Sequence, residues 1–282
     1  MLTDDKPRYF PVSPGPLKMV AGLRRLGSDF GQGVRDQQLF QVDHERPRYL
    51  AAKRAAPPGR HVIAGDDEVA ERARAAGLAC MRAALAREAP ALLIEADAQH
   101  EACDPLEALA LSIQEDFAIL CAGDDGEGRT VALDVRFPSG WRPERLAGAS
   151  FAAIHRPVPG FVDSAAVARS MVETMIARGP YVRFVWALCT DDQLDHHPEA
   201  RPSVTWGELG AWQLRVERQV SVPLPDVRAS VFLIRTYLYP WHTLSSAQQT
   251  TLLSALAVMP PELRAYKGLP TPEDVARALA GA

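Results

Sequence analysis

The sequence predicts an α+β fold: an antiparallel sheet of five strands with a helical crossover, an extended N-terminal arm and C-terminal helices. Three observations predict it. Two apolar runs, residues 117–122 and 130–137, flank the turn Gly123-Asp124-Asp125-Gly126 and read as a hairpin. Helical spacing follows, broken around His155 and resumed from Asp163 or Ser164. Three runs that alternate apolar and polar residues, 182–190, 212–222 and 229–239, then form a meander. Hairpin, crossover and meander close into one antiparallel sheet with the crossover helices on one face.

The elements in order justify this reading. Residues 1–60 are rich in Pro and Gly and sustain no period, so they read as an extended arm that wraps the core; the alternative, a partly disordered tail, fits the first ten residues best. Residues 61–282 form the folded domain with its flanking helices. Asp66 and Asp67 can cap a helix whose stripe is Val69, Ala73, Ala76, Cys80 and Ala84. Pro105 opens a second helix through Leu106 and Leu109 to Gln114. The crossover helix carries Val167, Met171 and Met175 on one stripe and stops at Gly179-Pro180; that stripe suits a core or the wall of a flat ligand. In the meander Leu214, Val216, Arg218 and Val220 share one face, and Arg215, Glu217 and Gln219 the other. Adjacent His196 and His197 lie in a polar segment and read as surface residues. Ser245 with Gln248 makes a capping box, Pro260-Pro261 stops that helix, and Thr271-Pro272 starts the last one.

Composition narrows the function. The chain has 282 residues, 47% hydrophobic and 23% charged, with a net charge of -4. That balance excludes nucleic acid as the main partner. No apolar run reaches membrane-spanning length, and MLTDDKPRYF lacks the basic and then apolar order of a signal peptide, so the expected compartment is the cytoplasm. Cys80, Cys103, Cys121 and Cys189 have no zinc or iron–sulfur spacing. No GxGxxG or P-loop is present, so electrons for any redox chemistry come from elsewhere. His155 stands just before Pro157 and Pro159, which hold the backbone direction. It reads either as a metal ligand or as a buried histidine bonded to a carbonyl.

Five patches, QEDFAIL (114–120), FPSGW (137–141), IHRPVPG (154–160), LRVERQ (214–219) and IRTY (234–237), resemble one family in order and spacing. That family is the catalytic subunit of haem-dependent oxidative N-demethylases, and the likeness runs from GLRRLG (22–27) to the YKG of 266–268. The resemblance implies a PAS-like haem domain with haem b as cofactor. It places His155, in the crossover, as the axial ligand of the iron. Arg183, Arg215, Arg218 and Arg235, all in strands, are the expected propionate partners, because a guanidinium fork matches a carboxylate. Glu217 and Asp116 are the candidates to meet a substrate ammonium. A structural Glu–Arg pair inside the sheet explains Glu217 equally well.

The implied activity is oxygen-using N-demethylation of a small secondary or N-methylated amine. Electrons would come from a partner reductase carrying FMN and a 2Fe-2S cluster, and the one-carbon unit would leave as formaldehyde or pass to tetrahydrofolate. The competing reading is a non-catalytic haem sensor of gas or redox state. One departure touches the substrate: Val185 precedes Trp186 where members of the family often carry asparagine.

Overall fold

Alternation along the long strands decides the architecture. In the computed structural model, which describes residues 7–15, 22–29, 36–100, 103–123, 126–161, 164–200 and 204–281, they form one antiparallel sheet. Its strands are β1 (Arg24–Arg25), β2 (His61–Ile63), β3 (Asp116–Ala122), β4 (Gly128–Asp134), β5 (Tyr181–Cys189), β6 (Gln213–Leu224) and β7 (Ala229–Pro240). They lie in the order β1-β5-β6-β7-β3-β4-β2. The expected five strands are all present, but the sheet among the described residues has seven. The two additions are edge strands of two and three residues, too short to show a period in sequence.

The helices are α1 (Arg46–Ala55), α2 (Glu68–Glu88), α3 (Pro90–Gln99), α4 (Pro105–Ala110), α5 (Phe151–His155), α6 (Ala165–Ala177), α7 (Ser246–Ala257), α8 (Pro261–Lys267) and α9 (Pro272–Ala280). Helix α2 begins where Asp67 accepts the Ala70 N–H, and it buries Ala70, Ala73, Gly77, Met81 and Ala84. At Gly77 an added Cβ would stand 2.6 Å from Ile119 Cδ1, so the missing side chain seats α2 on β3. Helix α4 ends four residues before the expected Gln114, because Gln114 and Glu115 turn away to bind the preceding chain. The capping boxes at Ser245 and Thr271 form, and Pro261 begins α8.

The sheet has a core face and a second face of different character. Val182, Val220, Val222, Val231, Leu233, Phe117 and Ile119 pack under α2 to α4 on the core face. Trp186, Leu188, Leu214, Val216 and Tyr237 continue that face under α7 to α9. On the second face α5 and α6 cover one end, against Leu120 and Ala122. Phe137 and Leu194 cover the other end with Tyr49. Between these covers Ala118, Val185, Phe232 and Ile234 remain half-buried.

The first sixty residues are tied into this frame. Tyr9, in the expected tail, is buried, and its hydroxyl donates to Asp36 at 2.9 Å. Asp36 also accepts from Arg218 Nε, and Arg218 donates to the Gln38 and Leu39 carbonyls. Gln114 and Glu115 accept the Asp43 and Gln41 N–H groups. His196 and His197, expected at the surface, are buried. The Asp191 carboxylate pairs with His196 and Glu144 with His197, while a bridge from His196 to Ser139 docks this loop on the FPSGW turn. The polar composition of 191–210 hid this: Asp191 is near His196 in sequence, but Glu144 and Ser139, which hold the loop down, are distant.

Two outcomes follow from these buried ions. Asp36→Ala leaves the Arg218 guanidinium without its carboxylate and is expected to cost roughly 3–5 kcal/mol in denaturant unfolding. Asp97→Ala, which removes an exposed partner of Arg82, is expected to cost about 0–1 kcal/mol. Asp134 is the second case. Burial works against its charge, but hydrogen bonds from His61 and Arg136 outweigh that and hold its carboxyl below the usual range. Its contribution is present above the unfolded carboxylate pKa and is lost as pH falls through the lower folded value. Asp134→Asn is therefore expected to reduce stability at neutral pH and to remove part of the acid slope below about pH 4 in a pH series of unfolding curves.

Candidate functional site

Helix α5 is one and a half turns long and ends on His155. Ser150 caps it by accepting the Ala153 N–H. Phe151 and His155 lie four apart, on one side of the helix, where their rings stack with centroids 4.0 Å apart. Phe161, from the following loop, approaches the imidazole at 5.8 Å. His155 Nδ1 lies 2.8 Å from the Phe151 carbonyl oxygen. A carbonyl only accepts, so Nδ1 carries the proton and the lone pair of the neutral ring is on Nε2. Burial pushes the imidazole pKa down; the carbonyl opposes that, and the Arg183 charge adds to it. His155 is thus a neutral imidazole with its tautomer set by the backbone.

The other histidines are placed differently. His44, His100 and His242 are exposed. His61 lies between Asp134 and Asp104, His196 pairs with Asp191, and His197 with Glu144. Among the described residues no three His, Cys, Asp or Glu side chains converge as a metal site. A metal at His155 would have one protein ligand and a prosthetic group supplying the rest.

Arg183 stands on the second face, in the cross-strand row Arg183–Gln219–Ile234–Asp116. Its Nε donates to Gln219 Oε1 at 2.7 Å, and Gln219 Nε2 donates to Glu217 Oε2 at 2.8 Å. Among the described residues Arg183 has no carboxylate within ion-pair distance. Burial lowers its pKa, with Glu217 and Tyr266 opposing. Glu217 is half-buried and sits between Val185 and Thr236 across the strands. Arg183, Gln219 and Glu217 therefore form one polar chain on the half-covered face, and the Arg183 charge reaches His155.

The remaining candidates lie elsewhere. Arg218 and Arg235 point to the core face. Arg235 is sandwiched between the Tyr49 and Tyr237 rings at 3.9 and 4.6 Å, and donates to Asp43 at 2.8 Å. Arg215 shares the face of Glu217 but is buried under the loops, donating to Ser139 Oγ and to the Leu194 and Phe137 carbonyls. Asp116 accepts the Phe137 N–H at 2.7 Å and lies 3.3 Å from the buried Lys53 ammonium. Burial raises its carboxyl against the pull of Lys53. These four side chains are occupied by the fold. Met171 and Met175 pack half-buried beside Phe151 and Phe161, while Val167 of the same expected stripe is exposed.

One site residue escaped the sequence reading. Lys267 reaches the outer edge of β5 and donates to the Trp186 carbonyl at 2.7 Å. Burial lowers its pKa to about 8, with Glu217 opposing and Arg183 adding to the shift. Its only signal in sequence was its place in the YKG patch.

The site fits a haem by its own chemistry. It offers an imidazole with the lone pair on Nε2, aromatic and methionine walls, a half-buried apolar sheet face and a cation without a carboxylate. The family model described as haem-dependent oxidative N-demethylase, alpha subunit-like, matches residues 80–277, more than two thirds of the chain. That span begins within α2 and ends within α9, so it holds the whole β3–β7 sheet and every side chain of the His155 cluster, and the chain belongs to this family.

Proposed function

We propose that this chain binds haem b through His155 and carries out oxidative N-demethylation of a small secondary or N-methylated amine. The observation that carries this reading is the hydrogen bond from His155 Nδ1 to the Phe151 carbonyl. It is the arrangement by which a protein fixes a metal-binding imidazole and raises its basicity. The PAS-like character of residues 61–282 belongs to the same reading. It is supported by a hairpin and a meander joined into one antiparallel sheet by the helical crossover that bears His155.

When bound, haem supplies the one-electron and oxygen chemistry. The chain supplies the rest. His155 Nε2 holds the iron, and Phe151 and Phe161 hold the imidazole ring. Arg183 meets a propionate with the Nη groups left by its bond to Gln219. Glu217, oriented by Gln219, pairs with the ammonium form of the amine. Val185 opposite it provides apolar contact for an N-methyl group in place of a polar amide. In the overall reaction dioxygen, two electrons and two protons convert the N-methyl amine to demethylated amine, formaldehyde and water. The electrons come from a separate reductase with FMN and a 2Fe-2S cluster, and the one-carbon unit leaves as formaldehyde or passes to tetrahydrofolate.

Three measurements test this. His155→Ala, produced with haem supply, is expected to lose its Soret band and to regain one with added imidazole; an unchanged band would place the ligand elsewhere. Glu217→Gln is expected to keep the haem spectrum and to weaken amine-induced spectral shifts by roughly 10–100-fold in amine concentration, the range for losing a charged hydrogen bond. The purified haem protein mixed with NADPH and dimethylamine is expected to form no formaldehyde until a flavin and iron–sulfur reductase is added. Turnover by the chain alone would overturn the division of labour.

A further inference from the structure

We infer that Lys267 is a second carboxylate anchor of the His155 site, working with Arg183 from the opposite side of strand β5. This rests on the haem reading above and extends it to a residue outside the sheet. Lys267 is the last residue of α8, which Gly268, at φ 60°, terminates in the left-handed conformation. The segment around it is rigid. Leu263 and Leu269 are buried, and Arg264 donates to the Leu256 and Pro270 carbonyls. From that base the ammonium reaches the edge of β5, where β1 pairs only with Tyr181 and Val182.

Counting charge points to a missing anion. The charges felt at the Lys267 ammonium are those of Glu217 from β6, which holds its proton, and Arg183 from β5, which opposes it. Two cations thus share the field of one carboxylate, and that carboxylate already accepts from Gln219. Among the described residues the Lys267 ammonium donates to Trp186 O, lies 5.7 Å from the centroid of the Trp186 ring and forms no ion pair; it carries three N–H donors. Burial lowers the pKa of both cations, and the Glu217 charge opposes that without reversing it. A partly buried positive surplus with unspent donors favours an anionic ligand. A haem brings two carboxylates, and Arg183 meets one of them.

A merely structural Lys267, pinning α8 to β5, makes different predictions. The probes are haemin and haemin dimethyl ester, which lacks free carboxylates, and the readout is the rate of transfer to excess apomyoglobin. Carboxylate binding favours the protonated lysine, so haemin retention in the wild type is expected to weaken as pH rises from about 7 to about 9.5. Lys267→Met is expected to release haemin about tenfold faster than wild type at pH 7, without that pH dependence. Lys267→Arg keeps the charge at every pH tested and is expected to hold haemin tightly and evenly. The dimethyl ester is expected to leave wild type and Lys267→Met at the same rate. Lys267→Met releasing haemin at the wild-type rate, or releasing haemin and its ester equally faster, would overturn the anchor. A wild-type chain that takes up no haemin would instead overturn the haem reading, and this inference with it.

Discussion

Three guanidinium groups inside the sheet set the terms for the rest of the molecule. Arg218 and Arg235 are 0% exposed and Arg215 is 2% exposed, on neighbouring strands of one sheet. A buried guanidinium without partners costs several kcal/mol, and paired strands supply few of them, because most of their carbonyls are spent on the ladder. Thr236, past the end of the β3 pairing, offers its carbonyl to Arg235; the other acceptors come from other segments. Asp36 with the Gln38 and Leu39 carbonyls serves Arg218, and Asp43 serves Arg235. Phe137, Ser139 and Leu194 serve Arg215. The N-terminal segment is therefore part of the fold, and two long loops are held at one end of the second face.

That arrangement shapes the site by what it leaves over. The core face is closed by two groups of helices and by the arm. The second face is covered at its ends, by α5 and α6 and by the loops that Arg215 holds. The strip between keeps a polar chain, Arg183–Gln219–Glu217, whose members are bonded to one another and whose charges have no ion-pair partner among the described residues. The Arg183 charge is felt by the His155 imidazole, whose proton is committed to a backbone carbonyl.

The five sequence patches divide between these tasks. QEDFAIL is a clasp: Gln114 and Glu115 accept backbone N–H groups of the arm, and Asp116 accepts the one that begins FPSGW. FPSGW and IRTY supply acceptors, rings and a guanidinium to the same scaffold. IHRPVPG carries the imidazole. LRVERQ serves both purposes at once, since alternate side chains of one strand reach opposite faces: Arg218 to the arm, Glu217 and Gln219 to the site. Arg215 shares the site's face and yet serves the scaffold, because the loops lie over it.

Alternation, caps and proline placement were sufficient in the sequence to define the five long strands, their facing residues, the α2, α6 and α7 helices and the position of His155 in the crossover. These are local properties, written within one or two turns of chain. They did not reveal the two edge strands or α3, nor that His196 and His197 are buried. They also could not separate Arg183 from Arg215, Arg218 and Arg235. Period two assigns a side chain to a face of the sheet, but not what covers that face. The partners that decide it are far away in sequence: Asp36 lies 182 residues from Arg218, and Asp43 lies 192 from Arg235. The proton position on His155 is a local matter, set by the carbonyl four residues back in α5, whereas the place of Lys267 beside β5 was settled only by tertiary structure, because it depends on which groups meet across the folded chain.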